Sequence, residues 1–171
     1  TWARITPEGN LFVWSYNSNL EDYLLPFPNL HLVGDTVRYW ADKGVAGVLM
    51  HNPLETKAAA MTDLRGYVTS RLLWDPSLDD DELVNEFIRL HYGPAAGTIG
   101  RYLDLLLRET LESGKTPTCY GEGPCPEPDP RANFLGYFGW DAETAGKATA
   151  LWARAMEEAR EEPYRSRVEK A

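Results

Sequence analysis

The sequence predicts an α/β fold: two parallel strands joined through a helix, followed by an α-helical subdomain. Two short apolar runs supply the strands, Leu11-Phe12-Val13-Trp14-Ser15-Tyr16 and Val45-Ala46-Gly47-Val48-Leu49-Met50. Each ends in a polar cluster, Asn17-Ser18-Asn19 after the first and His51-Asn52-Pro53 after the second. Between them Leu30, Val33, Val37, Trp40 and Ala41 recur at helical spacing, and Gly44 is placed to stop that helix. The runs begin 34 residues apart, enough for a crossover helix and hence for parallel pairing. Ligands in such units gather at the C-terminal strand ends.

The elements follow in order. Pro7-Glu8-Gly9-Asn10 reads as a turn before the first strand. Residues 17–29, with Pro26 and Pro28, form a long strand-to-helix loop, a common place for function in α/β folds. After the second strand, Met61, Leu64, Val68 and Leu72 mark an amphipathic helix ending near Trp74-Asp75-Pro76. Asp79 followed by Glu82 predicts a capped start for the next helix, which buries Leu83, Val84, Phe87 and Ile88 and stops near Gly93-Pro94. A further helix carries Ile99, Leu103, Leu106 and Leu107 on one face. The expected divisions are 1–76 (the two βα units), 77–112 (a helical extension), 113–140 (a Gly/Pro-rich loop) and 141–171 (a C-terminal helix). The last helix presents Ala145, Ala148, Trp152, Met156 and Ala159 on one side, and its charged end is expected to fray.

Hydrophobic content of 43% and charged content of 25% belong to an ordinary globular chain with room for a buried core. No apolar run approaches the roughly 18 residues of a membrane span. A net charge of −9 opposes a polyanionic partner, so nucleic acid is not expected. Thr1-Trp2-Ala3-Arg4 carries neither initiator Met nor signal peptide, so the start reads as processed or cut. Cys119 and Cys125 lie six positions apart in the Gly/Pro-rich loop. A disulfide there suits an oxidising compartment, two free thiols fit equally, and zinc would need further ligands from the distant His31, His51 and His91. No metal and no cofactor is expected. A secreted or periplasmic location is favoured over a cytoplasmic one.

Several blocks in series resemble one known family. They are Phe12-Val13-Trp14-Ser15-Tyr16, Tyr23-Leu24-Leu25-Pro26-Phe27-Pro28-Asn29-Leu30 and Gly44-Val45-Ala46-Gly47-Val48. The series continues with Leu64-Arg65-Gly66-Tyr67-Val68, Arg71-Leu72-Leu73-Trp74-Asp75-Pro76 and Glu86-Phe87-Ile88-Arg89-Leu90-His91-Tyr92-Gly93. Over residues 11–110 this order resembles the bacterial domain of unknown function 4838 family. That family occurs in carbohydrate-active proteins and is similar to glycoside hydrolase barrels of the hexosaminidase and α-glucuronidase kind. The resemblance implies that the two strands are the C-terminal part of a (β/α)8 (TIM-type) barrel. A full barrel takes eight strands and about 250 residues, so the chain is expected to be the C-terminal part of a longer protein. Where relatives are expected to carry Gln-Gly after the second strand, this chain has His51-Asn52.

Sugar sites combine aromatic faces with polar groups that orient hydroxyls. Trp14 and Tyr16 share a strand face by alternation and lie nearest its C-terminal end; packing between barrel and helices is the competing use. Asn17, Asn19 and Asn52 can donate to and accept from hydroxyls, although each also suits a turn. His51 adds a group that titrates near neutrality, or simply a satisfied hydrogen bond. Glycoside hydrolysis needs two carboxylates about 5–10 Å apart. Glu21, Asp22 and Glu55 are the only ones just beyond the strands, and none sits in a motif that marks a nucleophile or acid. The run Asp79-Asp80-Asp81-Glu82 is explained by its place at a helix N-terminus.

Three readings follow. The first is part of a glycoside hydrolase-like protein contributing strand-end residues to a carbohydrate site. The second is a non-catalytic glycan-binding or docking module, and the third a purely structural domain. In each, the bare strand edges predict pairing with upstream sequence, with a second copy, or with strands not recognised here.

Overall fold

A computed structural model describes residues 2–7, 10–18, 26–51, 60–114 and 140–171. The architecture is mixed α/β, mostly helical, with a two-stranded parallel sheet. A single turn of helix, α1 (Trp2–Ile5), precedes β1 (Phe12–Tyr16). A 3-10 turn (Leu30–Leu32) leads into α2 (Val33–Asp42), which crosses over to β2 (Gly47–His51). Phe12 pairs with Gly47, Trp14 with Leu49 and Tyr16 with His51. The second strand starts two residues later than its apolar run. The Val45 amide instead donates to the Trp40 carbonyl at 3.1 Å, closing the end of α2. Gly44, at φ +68°, makes the left-handed turn that ends the helix.

The helices α3 (Thr62–Trp74), α4 (Asp80–Tyr92) and α5 (Ala96–Ser113) follow, then α6 (Ala142–Glu158) and α7 (Tyr164–Lys170). Leu64, Val68 and Leu72 make one fully buried stripe of α3. They share an apolar core with Val33 and Val37 of α2, Leu83 and Ile88 of α4, Ile99 of α5 and Ala155 of α6. Asp79 caps α4 by accepting from the Glu82 amide at 2.9 Å. Arg38 of α2 reaches Asp80 at 2.8 Å and ties the same N-terminus to the crossover helix.

Three further expectations change. On α5 the buried face is Ile99, Tyr102, Leu105 and Leu106, so Leu103 and Leu107 fall to its margins. The rotation follows α6, whose Trp152 meets the Tyr102 ring edge-on at 5.1 Å. The helix expected over 141–171 is divided at 159–163, where Pro163 cannot continue an α-helical ladder. Its end does not fray: Val168 is buried, and Arg167 donates to the His91 carbonyl at 3.0 Å. The Gly/Pro-rich loop with Cys119 and Cys125 lies outside the described residues. Among the described residues no helix is long and apolar enough to cross a membrane.

Candidate functional site

The parallel register sends Phe12, Trp14 and Tyr16 to the same face as Gly47, Leu49 and His51. Phe12 lies across Gly47, where a Cβ would fall 2.7 Å from its ring. Trp14 and Tyr16 have centroids 6.4 Å apart, and Tyr16 and His51 are 5.4 Å apart with tilted planes. The row is open: Phe12 is 71% exposed, Trp14 63% and Leu49 49%. Burying one such side chain is worth roughly 1.5–3 kcal/mol, and this face forgoes that on three neighbours. Such a patch marks a contact surface more often than a bare exterior. His51 Nδ1 is buried without a hydrogen-bond partner among the described residues.

Asn17 has a different environment from Trp14 and Tyr16. It is 1% exposed, and its Nδ2 donates to Thr69 Oγ1 while its Oδ1 accepts from Asn29 Nδ2, both at 3.1 Å. Its backbone amide donates to the His51 carbonyl at 3.1 Å, extending the sheet ladder by one bond. Asn29 Oδ1 in turn accepts from Arg65, whose Nη2 donates to the Phe27 carbonyl. The end of β1, the segment before α2 and the start of α3 are thus one polar network. Burial lowers the Arg65 guanidinium to about 10.

Neither Arg65 nor Thr69 stands out in the sequence, because a charged residue on an amphipathic helix is ordinarily solvated. The available signal is spacing: Arg65, Val68, Thr69 and Leu72 follow the three–four rhythm of a buried face. Asn19, Asn52, Glu21, Asp22 and Glu55 lie outside the described residues. His31 sits in the 3-10 turn and His91 on α4, where it stacks on Phe87 at 4.5 Å. The acidic run is occupied structurally by the Asp79 cap and the Asp80–Arg38 pair.

Trp14, Tyr16 and His51 are therefore brought together at one edge of the sheet. Chemically, the arrangement offers tilted aromatic faces beside one imidazole nitrogen. In comparisons with known proteins, the family described as Domain of unknown function (DUF4838) matches residues 1–104. No curated protein and no solved structure matches the chain.

Proposed function

The chain belongs to the DUF4838 family, and on that premise we propose that it contributes a carbohydrate-binding wall to a glycoside hydrolase-like barrel. The observation that carries this reading is the row of exposed Trp14 with half-buried Tyr16 and His51, running to the C-terminal strand ends. Pyranose rings have apolar faces that stack on aromatic side chains, while their hydroxyls need donors and acceptors at the rim. Imidazole nitrogen serves as either, and since Nδ1 of His51 is buried the role falls to Nε2. The parallel sense of the pair supports the barrel, since (β/α)8 barrels are built from parallel strands and place their sites at this edge. Both outer strand edges would then be paired by strands beyond this pair, from further sequence or from a second copy. Asn17 acts from beneath, holding β1 in place rather than touching sugar.

Catalysis is not assigned to this chain. It requires two carboxylates held around the scissile bond, and the strand-end row offers none. We expect the chain to bind monosaccharides weakly, at about millimolar or roughly −4 kcal/mol, and to turn over no aryl glycoside. Trp14→Ala should weaken binding about tenfold, the loss of one stacked ring. Turnover that disappears in Glu55→Gln or Asp22→Asn would overturn this reading by putting the catalytic site inside the chain.

The docking reading has one observation of its own. Phe12 and Leu49 are also exposed on the same face, Leu49 directly opposite Trp14 and Phe12 at the far end of its strand. It predicts sugar binding indifferent to Trp14 and a protein partner sensitive to Phe12→Ser.

A further inference from the structure

Arg65 is 4% exposed yet has only neutral partners. Its Nε donates to the Ala60 carbonyl at 3.3 Å, its Nη1 to Asn29 Oδ1 and its Nη2 to the Phe27 carbonyl. Those bonds use three of the five N–H groups of a guanidinium. No carboxylate among the described residues pairs with it. A buried cation without a counter-charge is costly, because neutral acceptors replace only part of its lost hydration. Beside it lies a cavity of about 120 Å³, walled by Phe27, Leu30, Met61, Leu106 and Leu107.

We propose that this cavity binds a small monocarboxylate, its oxygens accepting from the remaining N–H groups of Arg65 and its short tail lying against Phe27, Leu30, Met61 and Leu106. Guanidinium and carboxylate match as planar forks, and the bond is charge-assisted. Size limits the ligand: an apolar cavity of about 150 Å³ holds benzene, so the tail here is a chain of about three carbons. Charge limits it further. Asp80, Asp81 and Asp104 also border the cavity, and Asp80 is already engaged by Arg38. Their field opposes any anion, so the Arg65 bonds must outweigh it, and it weighs twice on a dianion, so the site selects monoanions over dianions. The proposal is independent of sugar binding at the sheet face.

The test is a titration of the intact chain with sodium butyrate, butyramide and succinate, followed by the methyl resonances of labelled methionine. Of the three methionines, Met50, Met61 and Met156, Met61 borders the cavity. Butyrate should move the Met61 signal saturably, about tenfold more tightly than butyramide, with succinate silent. Arg65→Met should abolish the preference for the charged ligand. If that variant does not fold, Leu107→Trp decides, because it fills the cavity and leaves every Arg65 bond in place. Equal affinity for butyrate and butyramide, no Met61 response to butyrate, or an unchanged response in Leu107→Trp would overturn the proposal.

Discussion

At the scale of single residues, burial decides which polar groups are free to act. Asn17 and Trp14 sit three positions apart, yet one is sealed in hydrogen bonds and the other lies open. His91 carries a further consequence. It stacks on Phe87 and meets Tyr92 edge-on at 4.8 Å. Burial lowers its pKa below the ordinary 6.5, Arg167 and Lys170 push the same way, and Asp63 opposes them. A histidine whose folded pKa is depressed contributes stability that is complete above the unfolded value and is lost as pH falls through the folded one. Denaturant midpoints should therefore drop between about pH 7 and pH 5. His91→Phe should flatten part of that slope while preserving the stack. His31, also lowered by burial, accounts for a remaining part. A slope unchanged in His91→Phe would remove His91 from the account.

At the scale of elements, local signals are legible in the sequence and tertiary ones are not. Gly44 as a helix stop, Asp79 as a cap and the Leu64, Val68, Leu72 stripe each depend on residues within two turns of one another. The buried face of α5 depends on where α6 lies, so Tyr102 and Leu105 were beyond reach of periodicity alone. Trp14 and Tyr16 were legible as a shared face because alternation is local. Arg65 was not, because its acceptors lie up to 38 residues away. The docking of α7 on the end of α4 is of the same kind. Gly93, at φ +50°, lies under the Tyr164 ring, where a Cβ would fall 2.6 Å from it. Gly93→Ala combines a disfavoured backbone with that clash and should destabilise the fold by roughly 1–3 kcal/mol. Thermal unfolding checks this, and a change within about 0.5 kcal/mol would mean that α7 does not rest on Gly93.

At the scale of the whole molecule, the apolar core is helical and the sheet stands at its margin. Neither apolar cluster includes a strand residue, and three large side chains of the sheet face remain exposed. The polar network of Asn17, Asn29 and Arg65 ties the end of β1 to the segment before α2 and to α3, and leaves the strand face open. The proposed role as a sugar-binding wall rests on one part of it, the strand-end row. The chain has six tryptophans, Trp2, Trp14, Trp40, Trp74, Trp140 and Trp152, so total fluorescence does not locate a ligand. Their indole N–H resonances do. Titrating monosaccharides into the labelled protein should shift the Trp14 indole signal saturably while Trp74, more exposed at 91%, stays still. Sugar titrations that leave Trp14 unmoved, or that move Trp74 equally, would contradict the assignment of the strand-end row as a carbohydrate site.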